Sequence, residues 1–495
     1  MISQLSVTKL SSASLSSYSK EVRVPRYDRS AVTNGIVHIG VGGFHRAHQA
    51  LYMDNYIEQH PGSDWGICGV GLLKYDQKMS DALHSQDCLY TLVERSPESE
   101  EPRIIGSMTE YLFAPEDPQK VIDTLADERC RIVTLTITEG GYYVVEGTGE
   151  LDTENLVIQN DLKNPQQPEG VYGFLMAALR KRRDAGVVPF TVLSCDNIQG
   201  NGNVVGKMLT AFAKLQDPEM GEWVAENVNF PNCMVDRITP ATTPADVEMV
   251  RDRFGIEDDW PVVAEPFAQW VVEDRFSAGR PNWESVGVQM TDDVHPYELM
   301  KIRLLNTGHL LVGYLGALLG YTHVHEAMAD EQIALATRKL MDEVTPTLQP
   351  LPDIDFETYK STLIERFSNS KIRDQVSRLC LGGSDKLPKW VLGSLRDLLK
   401  EDGTIELLSF TVAAWFRYLE GTNDRGQAMK IEDQMAERLT SLAKSSGADP
   451  SQLLGLKDIF GDLAESSQFS EAVARYLKEL YEMGTRKTLT KLLER

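Results

Sequence analysis

Residues 35–43 read Gly35-Ile-Val-His-Ile-Gly-Val-Gly-Gly43, and this stretch decides the fold. A short apolar run rich in β-branched residues, closed by glycines, is the pattern of a buried strand that stops at a tight turn. A helical pattern follows over residues 44–59, then a second apolar run, residues 65–73 (WGICGVGLL), leading to Lys74, Tyr75 and Asp76. Further on, residues 117–127 read as helix, 131–138 as strand, Val171–Ala185 as helix and 188–195 as strand. Short apolar strands alternating with helices predict a parallel sheet covered on both faces. That is α/β architecture, doubly wound, for the N-terminal part of the chain.

The character changes after Pro281. Helical periodicity dominates residues 298–321, 330–343, 356–368 and 390–400, and continues to Arg495. Two domains are expected: residues 1–290 with the parallel sheet, and residues 291–495, mostly α-helical. Nothing near Met1 has the apolar core of a secretory signal. The Ser-rich residues 1–30, with Lys9, Lys20, Arg23 and Arg26 and few acids, suggest a transit peptide by composition but lack its long Arg-rich amphipathic helix. They read as a mobile N-terminal arm. The apolar stretch 310–321 (LLVGYLGALLGY) falls short of the ~20 residues that span a bilayer, so a buried helix is expected there.

Composition excludes several classes. Lys+Arg 50 against Asp+Glu 73 leaves a formal charge of −23, which on balance repels a nucleic-acid backbone and anionic membranes. An apolar fraction of 42% with 25% charged residues excludes disorder of the whole chain. Cys68, Cys88, Cys130, Cys195, Cys233 and Cys380 are widely spaced, with no C-x-x-C pair. They read as reduced thiols of a cytoplasmic protein. No heptad seam or interface patch fixes an oligomeric state.

The chemistry-bearing residues start at the first turn. Gly40-Val-Gly-Gly-Phe-His-Arg46 lies between a strand and a helix start, where bare backbone and a helix dipole can meet a pyrophosphate. The usual G-x-G-x-x-G pattern is altered, with His45 in place of the third glycine, so helix–strand packing must differ from the common form. Ile39, Gly40, Val41, Gly42, Gly43, Phe44, His45 and Arg46 are the expected cofactor-binding residues. With them goes Asp76, the acid beyond the second strand that would hold a ribose 2′-OH and favour NAD over NADP. Strand ends at Thr138-Glu-Gly-Gly141 and Asp196-Asn197 point towards the same crevice, although Asp, Asn and Gly there also serve simply to make turns. The sharpest segment is residues 298–310, ELMKIRLLNTGHL. On an α-helix Lys301, Asn306 and His309 share one face among apolar neighbours. A desolvated lysine in that setting suits a general base.

Together, KIRLLNTGH (301–309), GIVHIGVGGFHRAHQA (35–50), ICGVGL (67–72), LTITEGGYY (135–143), SCDN (194–197), MVDRITP (234–240) and RFSN (366–369) resemble the polyol-specific long-chain dehydrogenase/reductase family. The likeness spans more than 300 residues in order. It implies a Rossmann-like N-terminal domain, NAD as cofactor, no metal, and reversible oxidation of a polyol secondary alcohol to a ketose. The likeness is nearest to the members that interconvert D-mannitol and D-fructose. By the same resemblance Lys301 is the general base, Asn197 and Asn306 hydrogen-bond the developing alkoxide or carbonyl, and His309 positions the reactive oxygen. Glu139 stands by the base. Asp236, Arg378 and Lys386 bind the remaining hydroxyls. The chain departs from many relatives at Thr307-Gly308, where they carry Gly-Ser or Gly-Gly.

Three rival readings remain. His45-x-x-His48 and His323-Val-His325-Glu326 suggest a zinc-dependent enzyme, but no cysteine accompanies either pair and no four-cysteine lobe exists. A uronate, D-arabinitol or sorbitol substrate keeps the family; a uronate would need a cation such as Arg378 or Lys386. A non-catalytic NAD-binding module would not require Lys301, Asn197, Asn306 and His309 together.

Overall fold

The computed structural model describes residues 6–145 and 147–495. The chain divides into two units, Met1–His295 and Pro296–Arg495, five residues beyond the boundary read from the sequence.

The first unit is built on a five-stranded sheet: β1 (Asn34–Ile39), β2 (Gly66–Gly71), β3 (Met108–Phe113), β4 (Ile132–Leu135) and β5 (Thr191–Ser194). Their order is β3-β2-β1-β4-β5, all parallel. The strand order reverses beside β1, which makes its carboxyl end a topological switch point. Alternation along the strands explains why both faces are covered. Ile36, Ile67, Ile132 and Leu193 join one apolar cluster with the helix Gln49–Gln59. Val37, Cys68, Val133 and Val192 join another with the helices Pro118–Ala126 and Val171–Ala185. Two three-stranded sheets and a two-stranded one accompany this sheet. Tyr90–Arg95 pairs with Glu100–Ile105 and Val262–Ala264, and Gln269–Glu273 pairs with Cys233–Asp236 and Gln289–Thr291.

The expected mobile arm is corrected over its described part. Thr8–Lys9 pairs in parallel with Ile256–Glu257, and Leu10, Val22 and Tyr27 are buried. These apolar residues give the segment a surface to bury, which a solvated Ser-rich arm lacks. The helix read over 44–59 is broken at His48 (φ −122°, ψ −88°) into Gly43–Ala47 and Gln49–Gln59. At the break the His48 ring meets the Gln269 carbonyl oxygen at 2.8 Å.

The second unit is helical, with one apolar cluster that includes Met300, Leu310, Trp415, Phe469 and Leu492. The helical run His295–Leu319 is long and apolar enough to cross a membrane by length and composition, yet 89% of its most apolar window is buried inside the fold. It is a core helix. It is not α-helical throughout: Lys301–Asn306 is a π-helical turn between His295–Met300 and Thr307–Leu319.

Candidate active site

A cavity of about 410 Å3 opens at the carboxyl ends of β1, β2 and β4, and its walls include Ile39, Gly40, Val41, Gly42, Gly43, Arg46 and Asp76. Gly40 has φ +92°, and a Cβ there would lie 2.2 Å from the Thr136 carbonyl oxygen, so only glycine fits the turn. A Cβ on Gly42 would meet nothing nearer than the Gly40 oxygen at 3.9 Å, so the bare backbone opens onto the cavity, as a pyrophosphate requires. The Arg46 guanidinium is buried and lies over the rings of Tyr90 (5.2 Å) and Trp260 (5.9 Å). Asp76 is half-buried just past β2 and accepts the Leu73 N–H at 2.9 Å. Burial raises its carboxyl above the ordinary range, opposed by the backbone N–H groups of Leu73 and Leu72.

Two expected cofactor residues do not line this cavity. The His45 ring is fully buried and stacks on His38 of β1, centroids 3.3 Å apart. It fills the helix–strand contact where the common pattern has a small residue. Phe44 stacks on His48 at 4.9 Å.

Beyond β4, the segment Ile137–Tyr143 forms another wall through Ile137, Thr138, Gly141 and Tyr143. Glu139 is exposed on its first turn. Asp196, just past β5, holds this segment: its carboxylate accepts the N–H groups of Ile137 (2.9 Å) and Thr138 (3.0 Å) and the Tyr142 hydroxyl (2.7 Å). Burial raises the Asp196 carboxyl, and those donors oppose the shift. Asn197 follows, exposed at the same strand end. Asn201 ties this turn to the neighbouring strand, donating to the carbonyl oxygens of Asp196 (3.1 Å) and Cys233 (2.8 Å). Asp236 is buried at the end of that strand. Asp196, Tyr142 and Asn201 were not singled out for these contacts in the sequence. The one available signal was the place of Asp196 at a strand end, since Tyr142 lies in the turn Glu139–Tyr142 and Asn201 heads the helix Asn201–Gln216.

In the second unit, Lys301, Asn306 and His309 are only 7%, 5% and 9% exposed. The π turn alters the face read from α-helical spacing: Lys301 and Asn306 stand five residues apart, the hydrogen-bonding interval of a π-helix. His309 stacks on Phe367 at 4.2 Å, and its buried Nε2 has no hydrogen-bond partner among the described residues. Burial pushes the imidazole well below its ordinary range, reinforced by Arg378, Arg366, Lys386 and Lys301. The ring is therefore neutral at physiological pH. Arg378 is exposed and forks onto Asp374, with Nε 2.6 Å from one oxygen. The Lys386 ammonium lies over Trp390 (5.3 Å) and 3.3 Å from the Leu379 carbonyl oxygen.

Of the residues behind the zinc reading, His323 and Glu326 cap the helix Val324–Met328, with the imidazole 3.2 Å from the carboxylate. Among the described residues no group of three or more His, Cys, Asp and Glu side chains is placed to hold a metal ion.

The mannitol dehydrogenase Rossmann-domain profile matches residues 34–285, and the mannitol dehydrogenase C-terminal-domain profile matches residues 293–481. A mannitol 2-dehydrogenase of Aspergillus fumigatus is 47% identical over 480 residues, covering 95% of this chain and 96% of that one. The structure of Pseudomonas fluorescens mannitol 2-dehydrogenase, a ternary complex with NAD and D-mannitol, is 46% identical with a TM-score of 0.88, over 99% of this chain and 100% of that one. A D-sorbitol dehydrogenase solved in substrate-free form is 38% identical with a TM-score of 0.91, over 97% and 100% of the two chains.

Proposed function

The chain belongs to the mannitol dehydrogenase family, and from that premise we propose that it interconverts D-mannitol and D-fructose with NAD. The observation that carries this reading is the buried trio of Lys301, Asn306 and His309, with an unpartnered imidazole nitrogen, on one continuous helical run. The cavity beside β1 suits the cofactor: the glycine turn leaves room for a pyrophosphate, and Asp76 stands where a ribose hydroxyl would donate.

NAD, when bound, supplies the hydride acceptor. The chain's own residues handle the proton and the oxygen. Lys301, as the neutral amine, accepts the proton of the reacting hydroxyl during oxidation and returns it during reduction. Asn306 and Asn197 donate amide N–H groups to the oxygen as charge develops on it; fixed donors of this kind typically contribute ~10²-fold or more each. His309, kept neutral by burial and nearby cations, hydrogen-bonds the same oxygen through Nε2, which has no partner among the described residues. Asp236, Arg378 and Lys386 bind the outer hydroxyls, and Glu139 relays the proton to solvent. A tuned lysine needs no metal for this transfer. The six cysteines are free thiols, which supports a reducing compartment and a cytoplasmic location.

A uronate substrate is less well served, because the Arg378 charge is already matched by Asp374, which leaves its remaining N–H groups to neutral hydroxyls instead of a carboxylate. Sorbitol differs from mannitol only in configuration at the reacting carbon, since reducing fructose from either face gives one or the other. The test follows NADH absorbance with D-fructose, D-fructuronate, D-tagaturonate and D-xylulose, with and without chelator, and identifies the fructose product. Chelator-resistant conversion of fructose to mannitol is expected. Sorbitol as product, or preference for a uronate, would reassign the substrate; loss of activity with chelator would remove the lysine mechanism.

A further inference from the structure

Three donors from one short segment converge on Asp196, and that segment is strained at both ends. Thr138 has φ 59° and ψ 169°, and Tyr143 has φ 49° and ψ 44°. The first pair of angles borders a region that is essentially glycine-only, and a β-branched residue there persists only when its surroundings over-determine it. The Asp196 carboxylate supplies that constraint: it accepts the consecutive backbone N–H groups of Ile137 and Thr138 and the Tyr142 hydroxyl. Tyr142 is held in turn by the Ser194 hydroxyl at 2.5 Å. Asp196 itself is fixed through its backbone oxygen by Asn201. Among the described residues no other bonds both N–H groups at the start of the segment.

We infer that Asp196 is a positioning residue for the dehydrogenase reaction: its carboxylate holds residues 137–143 in the strained conformation that shapes the cofactor cavity and presents Glu139. This rests on the reading of the chain as an NAD-linked polyol dehydrogenase, and it extends that reading to a residue that itself touches neither substrate nor cofactor. An aspartate directly before Asn197 also explains how one strand end serves both walls: its side chain fixes the β4 segment, and its backbone fixes the turn that carries the amide.

The test compares wild type, Asp196→Asn, Thr138→Gly and the double variant Asp196→Asn/Thr138→Gly. NADH affinity is read by fluorescence titration, turnover with fructose is split into kcat and KM, and Tm is recorded. An asparagine side chain has one oxygen and must turn its N–H donors towards one side of this donor set, so the segment loses part of its hold. NADH affinity is expected to weaken about tenfold and kcat to fall by up to about 10²-fold, the scale set by misplacing a group by roughly 1 Å. Glycine adopts the Thr138 angles without strain, so the double variant should recover at least tenfold of the lost kcat and most of the NADH affinity. A purely structural aspartate would lower Tm, leave kcat per folded molecule within twofold of wild type, and show no recovery with glycine; that result overturns the inference. Should Asp196→Asn fail to fold, Tyr142→Phe removes one donor alone, and unchanged NADH affinity and kcat there would overturn it equally. Wild-type protein that binds NADH but turns over no ketose would defeat the dehydrogenase reading. The NADH titrations would still decide the role of Asp196.

Discussion

The Thr307 hydroxyl lies 2.7 Å from the carbonyl oxygen of Trp390 and 3.1 Å from that of Ile302. Both carbonyls belong to π-helical turns, Pro388–Leu392 and Lys301–Asn306. A π turn closes bonds five residues apart, and the Thr307 N–H does reach the Ile302 oxygen. The hydroxyl is thus a rivet between two irregular helical segments, one of which carries Lys301 and Asn306. This gives the threonine a physical task. Thr307→Val keeps the shape and removes the donor. It should cost about 1–3 kcal/mol for the carbonyl left unsatisfied, hence a Tm lower by a few degrees, and reduce kcat about tenfold as Asn306 shifts. Calorimetry and steady-state kinetics on Thr307→Val and Thr307→Ser check it: serine should retain both, and an undiminished kcat in the valine variant would leave the rivet without a catalytic consequence.

Lys301 offers a sharper contrast. As a buried general base it should matter to the chemical step and little to the fold, since the chain around it is held by Met300, Leu304 and Leu305. Lys301→Ala is expected to keep NADH affinity and Tm while turnover falls by about 10²–10⁴, the range ascribed to general base catalysis. Near-normal turnover would refute the assignment.

Much of this was legible in the sequence, for reasons tied to particular residues. The glycine-closed run at 35–43 and its three successors give β1, β2, β4 and β5, because buried parallel strands read as continuous apolar runs. The edge strand β3 escaped: Met-Thr-Glu-Tyr-Leu-Phe has only half-buried residues at Thr109 and Glu110, and its polarity breaks the apolar run. The π turn at Lys301–Asn306 was not legible either, since its composition is that of a good α-helix; in the fold the Thr307 hydroxyl just past it meets the Trp390 carbonyl oxygen. Gly40 and Asp76 were read from their places at the ends of the first and second strands, and both line the cavity. His45 could not be placed in this way, because the same position in a turn can face a ligand or the strand beneath, and here the His38 ring decides. Asp196 looked like any turn-forming aspartate until the donors on it were known.

Asp76 tests the cofactor half of the site. It lines the cavity just past β2, where a carboxylate accepts from a ribose 2′-OH and repels a 2′-phosphate. Asp76→Ala should lower kcat/KM with NAD by about tenfold, as expected for a lost hydrogen bond to a charged group, and raise it with NADP. The ratio of the two specificities, measured on one preparation, is the readout. An unchanged ratio would mean that another residue holds the ribose.

The last prediction concerns stability and pH. Glu343 is partly buried, and its carboxylate accepts the N–H groups of Leu407 (2.8 Å) and Leu408 (2.9 Å) at the start of the helix Glu406–Tyr418. Burial nevertheless wins, and its carboxyl is pushed up from 4.5 to about 7. A group that holds its proton more tightly folded than unfolded stabilises the fold fully below its unfolded pKa, and that contribution is lost as pH rises through the folded value. Its share of stability should therefore decline between about pH 4.5 and 7, opposite in sign to the usual paired carboxylate. Glu343→Gln, which stays neutral and can still accept through its carbonyl oxygen, removes this slope. Tm measured from pH 5 to 8 should show the variant gaining on wild type as pH rises, with the difference levelling above about pH 7. Parallel curves across that range would place the Glu343 titration elsewhere.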